Sequence, residues 1–470
     1  MIRRFICTLV AALLLPAGGA PASGQTPGGP PPLPADTTGI ERDIQAALVN
    51  RVEAGRGVGL VVGILTPDER RYLTHGRTVQ GGEVEPGPDT VFEIGSITKV
   101  FTSLLLADMV ERGEMRFEDP VAMYLPDAVS VPELNGRAIT LVDLATHTSG
   151  LPRLPTNLDA TNVVDPYATY GVDRLYAFLS GYRLPRAPGA EWEYSNLGAG
   201  LLGHVLARHA GTSYEALLRT RILEPLGMRD TAITLSDAQR GRTAQGYDLA
   251  MNPVGLWGFT ALAGAGAIRS TAADMLTFAA AWLGLVEHPL EAAMARVLAV
   301  SRPGAGPAVQ QHPGWAEIGG AVLFHDGGTA GHRSAIAIRP GAARAVVVLS
   351  NTFSDVNDVA LHGVVPQQPL ARFELPGERA AITLDEAVLE AYLGTYEISP
   401  TDAVTITREG ARLFAQVTGQ PRGELTARQV DQFFVPGTPV EVSFVRDQEG
   451  VVTGLVLHLA GTDVPARRVR

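Results

Sequence analysis

Strand-type runs bracket a helix-rich block that extends from about residue 120 to 290, and this order limits the folds open to the chain. Residues 57–65 form a valine-rich apolar run suited to a buried strand, and 71–76 and 91–93 add strand material. Residues 320–324, 334–339 and 344–350 return to that patterning. Between these runs, residues 96–113 are apolar on nearly every side, the mark of a helix buried in the middle of a domain. Residues 196–211 and 213–226 read as amphipathic helices. Residues 271–285 read as another, with Ser270 or Thr271 as its cap. Strand, helical block, strand predicts an α/β (α+β) domain with an all-helical insertion. Residues 366–377, which include Pro366, Pro369 and Pro376, read as a linker. Beyond it, 404–407, 413–417, 440–445 and 451–459 alternate or run apolar, with turns at 408–410 and 447–450. The expected layout is a main domain over 40–362, a linker over 363–382 and a small all-β domain, a meander or barrel, over 383–470.

The amino end reads as an export signal. Arg3 and Arg4 precede an apolar run over 5–15, and small residues at 20–24 offer a cleavage site. That run is too short to span a bilayer. Residues 1–24 are therefore expected to be a signal peptide, 25–39 a disordered tether, and the protein periplasmic or secreted, with no stable membrane insertion once the signal is removed. Cys7, the one cysteine, lies inside the signal, so the mature chain has no disulfide or thiol nucleophile. The net charge of −11 speaks against nucleic acid and anionic membranes as partners. The ten histidines are scattered, and no H-E-x-x-H occurs, so no metal and no cofactor is expected. No G-x-S-x-G elbow and no phosphate loop is present.

Lys99 is the single lysine of the chain; every other strongly basic side chain is arginine. Arginine does not lose its proton in a protein, whereas a buried lysine can, and then acts as a base. Lys99 stands three residues after Ser96, a spacing that puts both on one helical face. A hydroxyl beside a neutralisable amine is a nucleophile beside its base. The competing explanation is a leftover surface lysine. The apolar neighbours Phe92, Ile94, Ile97, Val100 and Phe101 argue against it. To serve as base near neutrality, the amine must titrate roughly two to three units below the ordinary value of about 10.4. Burial and a helix amino end both push that way.

Two further segments join it. Tyr194-Ser195-Asn196 precedes the helix at 196–211 and offers a phenol that can share a proton with a lysine, and an amide that can bond a substrate carbonyl. An Asn-capped helix start explains the same tripeptide without chemistry. His325-Asp326-Gly327-Gly328-Thr329-Ala330-Gly331 follows what reads as an edge strand, and its glycines permit close backbone approach. A glycine-rich turn is the plainer explanation. Alternation along the strand places Asp326 on the face opposite His325 and Gly327. His147 is expected to be structural, anchoring the turn into the helical region.

Together these segments resemble the penicillin-recognising serine hydrolases, specifically the class C β-lactamase-like branch. Residues 92–99 are similar to its active-site signature, with Thr98 where serine or alanine is usual. Residues 147–152 and 265–274 also resemble this branch, and 389–396 onward is similar to a lipocalin-like accessory domain. The resemblance implies a β-lactamase/transpeptidase-like fold, an antiparallel sheet flanked by helices. It implies that Ser96 attacks a carbonyl to form an acyl-enzyme, with Lys99, alone or through Tyr194, as general base. Tyr194 passes the proton to the leaving group and later activates water. Asn196, His325, Gly327 and Gly328 line the substrate site, and the backbone N–H groups of Ser96 and Gly328 form the oxyanion hole, where one donor is worth about 3–4 kcal/mol. His325 stands where a β-lactamase of this branch commonly has lysine, and neutral imidazole attracts a carboxylate less; Arg333 is a candidate to compensate. The implied substrates are small molecules or short peptides. They leave open a β-lactamase, a D-Ala-D-Ala carboxypeptidase or D-aminopeptidase, and a family VIII-type carboxylesterase. A non-catalytic binder of cell-wall fragments or β-lactams is the remaining alternative.

Overall fold

A computed structural model of the chain describes residues 31, 33–34, 37–159, 165–375, 381–399, 402–418, 422–436, 440–459 and 462–469. The expected signal peptide, 1–24, lies outside the described residues. Helix α1 (Thr38–Glu53) opens the described fold and is followed by β1 (Gly59–Leu65) and β2 (Arg70–Gly76). The remaining strands of the main sheet come much later. They are β3 (Arg302–Pro303), β4 (Val309–His312), β5 (Trp315–Ile318), β6 (Val322–Gly328), β7 (Arg333–Arg339) and β8 (Arg344–Ser350). The sheet order is β2-β1-β8-β7-β6-β5-β4-β3, and all its pairings are antiparallel. Leu60 pairs with Ser350 and Leu65 with Ala345, so the first strand is closed by the last. The helical block is inserted between them, as the order of patterns in the sequence predicts.

Every residue of β1 is buried, because both faces of the sheet are covered. Val61 and Leu65 join the core shared with the helical block, while Leu60, Val62 and Ile64 join a second core under α1 and helix α5 (Asn357–Val364). Helix α2 (Thr98–Glu111) runs through the first core with almost no exposed face. Helix α3 (Asn196–His209) and helix α4 (Ala272–Trp282) pack around it, α4 with Thr271 as its cap. The continuous helix expected over 213–226 is interrupted: a wider turn at Arg219–Leu223 separates two short helices, beside Pro225, which has no N–H to give.

Three expectations need correction. Residues 320–324 do not form an edge strand followed by a loop. Strand β6 lies inside the sheet and continues through His325 to Gly328. β7 pairs with it from Leu323 to Gly328, but β5 stops at Phe324, so the His325–Gly328 half keeps one side open. The tether over 25–39 is not free at its end. The Pro31 carbonyl accepts from Arg339, Leu33 packs on the second core, and α1 begins at Thr38. The main domain passes residue 362, since α5 ends at Val364, and the following segment is strapped down: Asn50 bonds Phe373 in both directions at 2.7 Å.

The C-terminal region forms a closed barrel of eight strands from Gly394–Glu397 to Thr462–Arg468, each paired with the next. Closure removes the exposed edges. Val404 and Ile406 point in and Thr405 and Thr407 point out, as strand alternation requires. Tyr392, Tyr396, Phe433 and Phe444 fill the interior, with Tyr392 and Phe444 centroids 4.4 Å apart.

At Gly327, a Cβ would stand 2.0 Å from the Ile94 carbonyl oxygen and 2.5 Å from Ser334 Oγ. Gly327→Ala is therefore expected to lower stability by about 1–3 kcal/mol through overpacking and strand displacement. Gly255→Ala, where the space is open, should leave the denaturation midpoint unchanged. Equal midpoints for the two variants would contradict this packing.

Candidate active site

Phe92–Glu93 pairs with Arg269–Ser270, and the chain then turns sharply at Gly95, whose φ of +49° lies in the left-handed region. A Cβ on Gly95 would come within 2.6 Å of the Gly328 nitrogen, so the turn and the open half of β6 meet backbone to backbone. Ser96 sits in the 3₁₀ turn Gly95–Ile97, ahead of α2 rather than within it. Ser96 in this turn and Lys99 in the first turn of α2 therefore straddle the helix start. From Val91 to Met109 every residue except Ser96 is buried. Lys99, 2% exposed, places Nζ 2.9 Å from Ser96 Oγ and donates to the Ala265 carbonyl at 2.6 Å. Thr98, unusual for the resembled signature, accepts the Ile268 N–H, and Thr102 donates to the Gly264 carbonyl. The start of α2 is thus stitched to the segment that carries the lysine's acceptor.

Tyr194 lies across from this pair, its ring centroid 4.9 Å from Lys99 Nζ. Its position comes from a seam between two segments. The Ser195 N–H donates to His147 Nδ1, Ser195 Oγ donates to the Pro152 carbonyl and caps α3, and the Arg153 carbonyl accepts from Asn196 and Leu197. His147 packs against Tyr194, ring centroids 4.5 Å apart and planes tilted by 35°. Burial, with the nearby charge of Lys99, holds its pKa well below the ordinary value. Because Nδ1 accepts, this imidazole is neutral with its proton on Nε2. The turn role expected of His147 is present, together with a contact to Tyr194 that the sequence reading missed. Asn196 donates through Nδ2 to Tyr167 Oη at 2.9 Å, and its buried Oδ1 has no partner among the described residues. It is an acceptor left open for a donor from outside.

The open half of β6 supplies the third wall. His325 and Gly327 face the Ser96 side, where Ser334 Oγ also donates to the Ile94 carbonyl. Asp326 faces the other way and accepts from Asn357 at 3.1 Å. His325 Nδ1 lies 2.6 Å from the Asp326 carbonyl, so Nδ1 carries the proton. Burial pushes His325 down to about 4, with Lys99 adding to the shift and Asp326 opposing it. Arg333 leaves the opposite face of β7 from Ser334 and stacks on Phe353 at 4.4 Å, 4.0 Å from Asp326. It does not join His325.

A buried charge cluster behind the turn escaped the sequence reading. Glu93, 3% exposed, accepts the Trp257 N–H at 2.7 Å and lies 3.4 Å from both Arg269 and His332. Burial alone would raise its pKa, but the neighbouring His332, Thr329 and Arg269 leave it lowered. The only sequence signal was a glutamate inside an apolar run.

A family model described as Beta-lactamase matches residues 44–365. The chain belongs to the beta-lactamase family. Residues 378–467 match a second model, described as a domain of unknown function, DUF3471. The chain is 34% identical over 238 residues to the D-alanyl-D-alanine-carboxypeptidase/endopeptidase AmpH of Escherichia coli (strain K12), covering 50% of this chain and 60% of the relative. It is 29% identical over 241 residues to a beta-lactamase of Pseudomonas fluorescens, covering 50% and 63%. The chain thus spans about three-fifths of the length of these two relatives. Among solved structures it resembles a beta-lactamase/D-alanine carboxypeptidase from Yersinia pestis, with TM-score 0.59, 25% identity, and 69% of this chain and 97% of that one covered. A class C beta lactamase from Rhodobacter sphaeroides gives TM-score 0.59 and 28% identity, with 68% and 97% covered. No helix among the described residues is long and apolar enough to cross a membrane.

A histidine with a lowered folded pKa binds fewer protons than in the unfolded chain, so its contribution to stability is lost as pH falls from about 6.5 towards 4. His325→Asn is expected to remove up to about 3 kcal/mol of that loss. Chemical denaturation across this window checks it: the variant should show a flatter profile, and an unchanged slope would contradict the buried neutral imidazole.

Proposed function

We propose that this protein is a serine hydrolase that acts through an acyl-enzyme on Ser96. One observation carries the reading: the single lysine is buried with its amine 2.9 Å from the one open residue of an otherwise buried run. Ser96 Oγ attacks the substrate carbonyl while its proton passes to Lys99, directly or through Tyr194. The bond to the leaving group then breaks, and that group departs with a proton from Tyr194. Water, deprotonated by the same pair, attacks the ester and releases Ser96. The N–H groups of Ser96 and Gly328 receive the developing oxyanion, and the close approach of Gly95 to Gly328 supports that pairing. Asn196 offers its open Oδ1 to a substrate N–H. Carbonyl compounds of the β-lactam, D-amino-acid peptide and ester classes fit, and the relatives, a D-alanyl-D-alanine-carboxypeptidase/endopeptidase and a beta-lactamase, support the first two. The apolar run after Arg3 and Arg4 supports export to the periplasm or medium. The boundary between the main domain and the barrel falls in the strapped segment after Val364.

Nitrocefin, a D-Ala-D-Ala peptide and p-nitrophenyl butyrate, tested side by side, separate the substrate classes. A fluorophosphonate should add covalently to Ser96 by mass spectrometry, and Ser96→Ala should abolish the adduct. Lys99→Arg and Lys99→Met are expected to lower turnover by about a thousandfold, within the range of general base catalysis. Circular dichroism should show both variants folded. Near wild-type turnover in either would overturn the mechanism.

A further inference from the structure

We propose that Arg153 is the anion anchor of this site and selects substrates that carry a carboxylate. The proposal rests on the Ser96 acyl-enzyme reading and names the charge that such a substrate would meet.

The β6 wall offers no cation. His325 is a buried neutral imidazole whose Nδ1 is committed to the Asp326 carbonyl. Arg333 leaves the reverse face of the sheet, covered by Phe353 and neighboured by Asp326. The opposite wall does offer one. The Arg153 guanidinium carbon lies 4.9 Å from the centroid of the Tyr194 ring, the same distance as Lys99 Nζ. Glu191 and Glu193, the acids beside Tyr194 in sequence, are both engaged by Arg186. No carboxylate among the described residues forms an ion pair with Arg153. Elsewhere in the described fold many arginines do, Arg51 with Asp358 and Arg269 with Glu93 among them.

Arg153 is also held in place. Its carbonyl accepts the N–H groups of Asn196 and Leu197 at 3.0 and 3.2 Å, and the preceding Pro152 carbonyl accepts from Ser195 Oγ at 2.8 Å. The Tyr194 ring supports the guanidinium at 4.9 Å, and a guanidinium held over a ring face can offer its in-plane N–H groups to a bidentate acceptor. A planar fork on a fixed backbone loses little freedom when it binds a carboxylate. An anchor on this wall puts the substrate's charge beside the phenol, whereas a lysine at the His325 position would hold it against β6.

The test compares an N-acyl-D-alanyl thioglycolate, which carries a free carboxylate, with its methyl ester, which does not. The wild-type protein should prefer the acid, and the preference should weaken as salt is raised. Arg153→Gln should reduce the acid-to-ester ratio of kcat/KM at least tenfold, chiefly through KM, and Arg153→Lys should restore part of it. An unchanged ratio in Arg153→Gln overturns the proposal. So does an equal fall for both substrates with a displaced pH–rate profile, which would make Arg153 a positioning and tuning partner of Tyr194. Fluorophosphonate labelling separates the two levels. If Ser96 labels and the ratio does not move, the anchor alone fails. If Ser96 does not label and Ser96→Ala hydrolyses both substrates as wild type does, the acyl-enzyme reading fails and the anchor with it.

Discussion

Two backbones pressed together without side chains between them hold the site. Gly95 turns the chain into Ser96 where a Cβ would stand 2.6 Å from the Gly328 nitrogen, and Gly327 brings β6 against the same turn where a Cβ would stand 2.0 Å from the Ile94 carbonyl oxygen. This contact joins the helical block to the sheet where the candidate nucleophile emerges. It also explains why Ser96 is open while its neighbours are sealed: the turn is wedged between α2, buried in one core, and a strand whose outer side loses its partner after Phe324. Glu93, just behind, ties the same turn to Trp257 by a hydrogen bond and to Arg269 and His332 at 3.4 Å.

Electrostatics around Ser96 follow from burial rather than from local charge count. His147 and His325 are both driven towards their neutral forms by desolvation, and the charge of Lys99 reinforces the effect. Each neutral ring then has one protonated and one accepting nitrogen, set by a backbone partner: the Ser195 N–H for His147 and the Asp326 carbonyl for His325. The rings therefore orient Tyr194 and line β6 without adding cations beside the amine. On that background a half-buried guanidinium against the Tyr194 ring is a large local charge, because fewer water molecules screen it.

The barrel and the main domain use the same β physics in different ways. In the main sheet both faces are covered, so β1 and β8 are buried throughout, β1 entirely apolar and β8 apolar between Arg344 and Ser350. In the barrel one face is wet, so strands alternate, and aromatic side chains fill the inside. The strap that leads from α5 towards the barrel lies on α1 through Asn50 and Phe373, although its prolines suggest a free linker. Proline content reports the loss of regular secondary structure and says nothing about docking, which depends on side chains elsewhere in the chain.

Periodicity, residue choice and short spacing made much of this protein readable in one dimension. Valine runs at both ends of a helical block dictate a sheet with an insertion, and a lone lysine three residues from a serine in apolar surroundings points to the Ser96–Lys99 pair. Those features are local, so the chain order displays them. Distance across the fold is not displayed. Glu93, His332 and Arg269 are up to 239 residues apart in sequence, yet they form one cluster because β6, β7 and the Ser96 turn converge. Likewise only the sheet register could show that β5 ends at Phe324, which turns an apparent glycine-rich loop into the open side of a strand, and only packing could put Arg153 on the ring of Tyr194 while turning Arg333 away. Local propensity depends on neighbours in the chain; a site depends on which distant surfaces exclude water together.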